Sequence, residues 1–230
     1  MQSFSGRTFA VTGTSGNLGR AVADLLGERG ANVVLLERSH RAEAEPSDRV
    51  LRLGGLDVTD AGSIAQALDG AASRFGALDG LVASAGGFAM GGTSAADGWG
   101  VWDAMLTANL RTVVAAVQAV APRLAQGGRI VAVGARPALS APNGLSAYAA
   151  SKAAVLRLTE SLSEELKGRG ITVNSVLPSI IDTPQNRAAM PNADPTAWVP
   201  PHDIAEVIAF LLSDAARSVM GAHIPVYGRS

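Results

Sequence analysis

Thr8-Phe9-Ala10-Val11-Thr12-Gly13-Thr14-Ser15-Gly16-Asn17-Leu18-Gly19-Arg20-Ala21 is the stretch on which the fold turns. A short apolar run, Thr8–Val11, ends in a glycine-rich turn, and the turn opens a helical pattern near 17–29. Glycines there allow a tight reversal and let the backbone come close to a bound group. A helix that starts at such a turn points its free N–H groups and positive dipole end at the same place, which suits a pyrophosphate. The turn alone is a weak signal. It gains weight from Glu37, an acidic residue at the end of the next apolar run, Asn32–Leu36.

Outward from this point, apolar runs at Val50–Leu53, Leu78–Ala83, Arg129–Val133, Thr172–Val176 and Ala222–Val226 alternate with helical patterns near 60–75, 99–124, 148–168 and 202–213. The alternation predicts repeated βαβ units and a parallel sheet. The runs are nearly unbroken in apolar character, as strands covered on both faces are. Gly30 and Gly170 fall just past two of the helices, where a left-handed residue commonly ends a helix. One α/β domain over 1–230 is expected. Two stretches read as long loops, Arg38–Arg49 and Pro178–Pro201. The prolines of the second (178, 184, 191, 195, 200 and 201) exclude a long helix. That segment follows a strand, on the side where open α/β sheets bind ligands, and is expected to cover a substrate.

Composition narrows the function. Charged residues are only 17% and the formal net charge is −1, so no electrostatic footprint for nucleic acid or an anionic membrane is present. There is no cysteine, which removes disulfides and thiolate chemistry and agrees with a cytoplasmic protein. Met1–Arg7 has no signal-peptide core, and the longest apolar stretch, Val113–Ala121, is short and broken by Gln118, so no membrane span is expected. His40, His202 and His223 stand apart without ligand spacing; no metal is expected.

Two further groups carry chemistry. Glu37 can accept hydrogen bonds from both hydroxyls of an adenosine ribose and repels a 2′-phosphate, which favours NAD(H); Arg38 beside it tolerates NADP(H). Asp57, after the third strand, either contacts an adenine or caps a turn. Tyr148 and Lys152 lie four apart on a helix and share a face. A neighbouring ammonium and an oxidised nicotinamide are both expected to favour the phenolate and lower the phenol from its usual value near pH 10.

Thr12–Gly19, Asp57-Val58, Ala85-Gly86, Asn109, Tyr148 with Lys152, and the turn Pro178–Thr183 together resemble the short-chain dehydrogenase/reductase family over essentially the whole chain. The resemblance implies a single-domain Rossmann fold, a doubly wound seven-stranded parallel sheet in the order 3-2-1-4-5-6-7 with helices on both faces. It implies Tyr148 as proton donor, Lys152 as its partner and ribose ligand, and Asn109 as holder of a relay water. The cofactor would lie against Gly13, Ser15, Asn17, Leu18, Gly19, Glu37, Arg38, Asp57, Val58, Ala85 and Gly86, with Pro178, Ile181 and Thr183 at its nicotinamide end. Homo-oligomerisation through the helices near 99–124 and 148–168 is implied as well.

The departures matter. Asn17 stands where the family has its middle glycine, and Ala83-Ser84-Ala85-Gly86 replaces Asn-Asn-Ala-Gly. Ala135 occupies the place, thirteen residues before Tyr148, of the family's serine. Loss of a comparable oxyanion donor raises a barrier by about 3–4 kcal/mol. Ser140 and Ser146 are the nearby hydroxyls that an unusual loop would have to bring in.

Quinonoid dihydropteridine reductases share the alanine. The chain is similar to them in Gly134–Leu139, in Ala85-Gly86-Gly87-Phe88, and most closely from Asp182 through Pro191 to Trp198 and Pro200. This implies a substrate pocket containing Ala135, Phe88 and Trp198, with the two aromatic rings packing on a flat heterocycle. Reduction of a quinonoid dihydropterin or similar conjugated ring is the leading expectation. A carbonyl or alcohol oxidoreductase of the 3-oxoacyl-thioester or small-ketone type is the alternative, and a catalytically weak dinucleotide-binding sensor or scaffold is the third.

Overall fold

The computed structural model describes residues 3–39, 48–91 and 98–229. His40, and with it most of the predicted loop Arg38–Arg49, lies outside the described residues. Seven parallel strands form one sheet: β1 (Thr8–Thr12), β2 (Asn32–Leu36), β3 (Val50–Leu53), β4 (Leu78–Ala83), β5 (Leu124–Val133), β6 (Thr172–Pro178) and β7 (His223–Val226). Their order is β3-β2-β1-β4-β5-β6-β7. The chain reverses direction of travel between β3 and β4, so β1 and β4 lie side by side at the switch, with Thr12 opposite Ala83. Ligands of open α/β sheets sit at the carboxyl ends of such a pair.

Alternation along each strand divides the core in two. Phe9 and Val11 of β1, with Val33 and Leu35 of β2, meet α1 (Asn17–Glu28) and α7 (Pro201–Leu211) through Leu18, Val22, Leu25, Ile204 and Ile208. Ala10, Val34, Leu36 and Leu81 face the other way, onto α2 (Ala61–Phe75), α4 (Thr112–Val120) and α5 (Ser146–Leu166) through Ile64, Leu68, Val113, Val117 and Val155. Side-chain period 2 in the strands and 3.6 in the helices makes this double burial possible from one sequence.

The helical pattern near 99–124 is one run in four parts: α3 (Gly98–Met105), a π-helical stretch Leu106–Arg111, α4, and a 3₁₀ turn Ala121–Arg123. Its span Trp99–Arg123 is long and apolar enough, by length and composition, to cross a membrane. The apolar run is thus longer than Val113–Ala121 alone. Asn109, Arg111 and Gln118 interrupt the apolar letters but not the helix. Half of its most apolar window is buried inside the protein, as befits a helix stacked on the sheet.

The proline-rich segment is also more ordered than a loop. Thr183 caps α6 (Pro184–Ala189) by accepting from the Asn186 N–H at 3.1 Å, and Pro184 takes the first helical position. The ends of the excursion are fastened together: Ile181 bridges Val199, the Asp182 N–H donates to the Val199 carbonyl, and the Val199 N–H donates to the Ile180 carbonyl.

Candidate active site

At the carboxyl end of β1 two glycines make the turn possible. Gly13 has φ +72°, and a Cβ there would come within 2.7 Å of the Ala85 nitrogen. A Cβ on Gly19 would lie 2.4 Å from the Gly13 carbonyl oxygen. No side chain can occupy either place, so backbone faces outward across the turn. Gly16 offers no side chain to cap α1, which leaves the first N–H groups of that helix open. Position 17 needs no glycine: Asn17 is the first residue of α1, and its amide donates to Gln185 Oε1 of α6 at 2.8 Å. The departure from the family pattern therefore ties the turn to the proline-rich segment. A dinucleotide fits this cradle: Gly13–Gly19 and the open helix N-terminus would hold its pyrophosphate.

The two ends of β1 and β4 are stitched together around it. The Ala85 N–H donates to Thr12 Oγ1 at 3.0 Å, and Ser84 Oγ donates to the Thr12 carbonyl at 2.8 Å. Gly86 lies beside the catalytic candidates: a Cβ there would meet Asn109 Oδ1 at 2.8 Å and Lys152 Nζ at 3.4 Å. Thus Gly86, Asn109 and Lys152 converge, although they come from three parts of the chain.

Asn109 is fully buried on the π-helical stretch, a local widening that often marks functional positions. Its Oδ1 accepts from the Gly87 N–H at 3.0 Å, and its Nδ2 donates to Ser151 Oγ at 3.0 Å. Ser151 Oγ in turn donates to the Tyr148 carbonyl at 2.7 Å. The carboxamide spans Gly87 and Ser151 directly. Ser151 was not singled out from the sequence; its place between Tyr148 and Lys152 was the available signal.

Lys152 is buried, and its ammonium donates to the Val133 carbonyl at 2.9 Å. Loss of solvent pushes its pKa down to about 8. Burial pushes the Tyr148 phenol up to about 12. Without a bound nicotinamide, burial is what acts on the phenol, and it acts against the lowering that an ammonium and an oxidised nicotinamide together would give. A neutral phenol is a proton donor. The Phe88 ring stands edge-on to Tyr148, centroids 5.0 Å apart, and is 62% exposed, so it borders the approach to the phenol.

The remaining sequence candidates are placed as follows. Ala135 is buried in extended backbone just beyond β5, while Ser140 is exposed and Ser146 opens α5. Asp57 caps its own turn, accepting from the Thr59 N–H at 2.9 Å and hydroxyl at 2.7 Å, which holds its carboxyl below the usual range. Val58 follows in the same turn, and Arg38 is exposed at the end of β2. Ser15 is exposed on the turn and Leu18 packs inward from α1. Pro178 ends β6, Ile181 forms the bridge to Val199, and Thr183 is engaged as the α6 cap. Trp198 is only 6% exposed and belongs to the packed interior, so it does not present a face beside Phe88. His223 joins Ser175 Oγ at 2.7 Å to Glu160 at 2.9 Å, a brace between β6, β7 and α5.

Comparison with known proteins agrees with this geometry. The family profile described as enoyl-(acyl carrier protein) reductase matches residues 13–228. The chain is 34% identical over 239 residues to 3-oxoacyl-acyl-carrier-protein reductase FabG of Salmonella typhimurium, covering 98% of each chain. It is 34% identical over 244 residues to cis-4-hydroxycyclohexanecarboxylate dehydrogenase of Sinomonas cyclohexanicum, covering 99% of this chain and 97% of that one. Among solved structures, a short-chain dehydrogenase/reductase of Brucella melitensis superposes with TM-score 0.87 at 30% identity, covering 99% and 98%. A blue fluorescent protein from a metagenomic library, in complex with NADPH, gives 0.82 at 29% identity, again covering 99% and 98%. With the glycine turn, the Tyr148–Lys152 pair and the sheet order in place, the chain belongs to the short-chain dehydrogenase/reductase family of NAD(P)-dependent oxidoreductases.

Proposed function

We propose that the protein reduces a carbonyl group, or oxidises the matching alcohol, on a small substrate with an apolar body. The observation that carries this reading is the half-buried Tyr148 phenol on the helix that carries Lys152, with the exposed Phe88 ring at its edge. A reduced nicotinamide, when bound, supplies hydride to the carbonyl carbon. Tyr148 donates its proton to the carbonyl oxygen as charge develops there. Lys152 lies by Gly86, where it is placed to hold a cofactor ribose and to favour the Tyr148 phenolate once the proton has left. Asn109 and Ser151 hold the backbone at Gly87 and Tyr148 in register. Phe88 covers the apolar side of the substrate.

Similarity to 3-oxoacyl-acyl-carrier-protein reductases and alcohol dehydrogenases supports the carbonyl reading. Ala135 sets its limit. With one hydroxyl donor instead of two, activated carbonyls such as 3-oxoacyl thioesters react better than simple ketones. Homo-oligomers in the cytoplasm are the proposed form. A second reading, reduction of a quinonoid dihydropterin or similar ring, is favoured by Ala135 and the likeness across Asp182–Trp198. The buried Trp198 weighs against it, since that ring cannot stack on a heterocycle as it stands. The test is consumption of NADH and NADPH by purified protein with 3-oxoacyl thioesters, ketones and freshly made quinonoid dihydropterin in parallel. Turnover on carbonyls supports the first reading; turnover on the pterin alone replaces it with the second.

A further inference from the structure

Exposure alternates along the segment that leaves β4. Gly86, Phe88 and Met90 are exposed, whereas Ala85, Gly87 and Ala89 between them are half-buried. Successive side chains of an extended chain turn to opposite faces, so the three exposed positions share one outward face. The other face presses on the helices below. A Cβ on Gly87 would lie 3.2 Å from Ala108 Cβ and 3.8 Å from Met105 Cε, and one on Gly91 would lie 3.1 Å from Val101 Cγ2. The far end is pinned, because the Gly91 N–H donates to the Gly144 carbonyl at 3.0 Å.

The outward face runs from the reacting groups to solvent. Gly86 adjoins Asn109 and Lys152, the Phe88 ring centroid stands 5.0 Å from that of Tyr148, and Met90 Cε lies against Gly144, just before α5. Phe88 is 62% and Met90 65% exposed. A single exposed apolar side chain carries little meaning, but two in succession on a face that ends at Tyr148 form one apolar surface. Alternate residues of an extended chain are about 6.5 Å apart, so this surface is long and narrow. No side chain from Ala85 to Met90 is charged or carries a hydrogen-bond donor. Methionine is unbranched and adaptable, which suits contact with a flexible chain.

We infer that Phe88 and Met90 form a track for an unbranched aliphatic chain attached to the reacting carbonyl, and that Met90 makes the protein select chains long enough to reach it. This rests on the carbonyl chemistry proposed for Tyr148 and adds the substrate class: extended acyl or alkyl chains over short or compact cyclic substrates.

The experiment follows turnover of straight-chain 3-oxoacyl thioesters of N-acetylcysteamine at saturating reduced coenzyme, over chains of about four to about twelve carbons. In wild-type protein kcat/KM is expected to rise about threefold per added methylene, through KM rather than kcat, somewhat less than full burial of each CH₂ would give. Met90→Gln, similar in size but polar, should cut that slope to below about 1.5-fold per methylene, and Met90→Leu should keep it. Met90 is exposed, so neither change disturbs the core. A second measurement needs no turnover: 3-hydroxyacyl thioesters are titrated into protein already holding reduced coenzyme, a pairing that cannot react. Calorimetry should show the same slope in wild-type protein and the same flattening in Met90→Gln. A flat wild-type slope, an equal slope in wild type and Met90→Gln, or faster turnover of cyclic ketones than of any straight chain overturns the track, while turnover at every length leaves the carbonyl reading standing. Neither turnover nor binding at any length removes the carbonyl reading, and the inference with it.

Discussion

Asn109 Nδ2 stands 3.0 Å from Ser151 Oγ, which joins the π-helical stretch to the helix that carries Tyr148 and Lys152. The same hydroxyl donates to the Tyr148 carbonyl, so the chain of contacts ends at the backbone of the proposed proton donor. In the proposed mechanism Ser151 is a positioning residue that acts through Tyr148. Ser151→Ala should lower kcat about fivefold, the worth of one hydrogen bond of roughly 1 kcal/mol, with KM for the coenzyme unchanged. Kinetics at saturating and limiting coenzyme check this; a rise in coenzyme KM at constant kcat would assign Ser151 to binding.

The pH dependence follows from Lys152. Its pKa falls from 10.5 to about 8 on burial, so the free enzyme loses the ammonium as the pH rises through about 8. Tyr148 keeps its proton up to about 12. In the reducing direction kcat/KM should therefore decline above about pH 8, and the loss should follow Lys152, not Tyr148. A rate profile over pH 6 to about 11 tests it; a flat profile through that range contradicts the assignment.

Lys152 also costs stability. Because the native state holds its proton less firmly than the unfolded chain does, the penalty is full below about pH 8 and disappears as the pH rises to 10.5. Lys152→Met should abolish turnover while stabilising the fold at pH 7 by on the order of 2 kcal/mol, the relief of a desolvated charge less its bond to Val133. Thermal melts of both proteins at pH 7 and 10 would show the gap narrowing with pH. Destabilisation at both values would mean that the bond to the Val133 carbonyl outweighs desolvation.

Ala135→Ser restores a hydroxyl where a second carbonyl donor would stand. Turnover on simple ketones should rise about 10²-fold, the scale of one oxyanion donor, with little change on activated carbonyls. Measured kcat on paired substrates decides it. No gain on ketones would place the limit in the shape of the pocket.

Much of the fold was legible because its signals are local. Nearly unbroken apolar runs marked all seven strands, and the glycine turn located the switch between β1 and β4. Boundaries slipped where local signals are mixed: β5 begins at Leu124, ahead of Gly127 and Gly128, which read as turn residues. Helix α6 was hidden because six residues started by a Thr183 cap and Pro184 leave too little periodicity to detect. The site was legible in part. Pattern along the chain singles out Tyr148, Lys152 and Asn109 as candidates, whereas the place of Ser151 between Asn109 and Tyr148 shows only in contacts between elements. The burial of Glu37 and Trp198 and the upward shift of Tyr148 are products of packing, which no spacing along the chain reveals.

Proton donation by Tyr148 is tested most directly by consumption of reduced coenzyme on a 3-oxoacyl thioester by wild-type protein and by Tyr148→Phe, with coenzyme binding measured on both. Wild-type protein should turn over the thioester, Tyr148→Phe should be slower by at least about tenfold, and coenzyme affinity should stay within threefold between the two. Equal turnover by the two proteins would contradict that role, because the proton would then come from a group other than Tyr148.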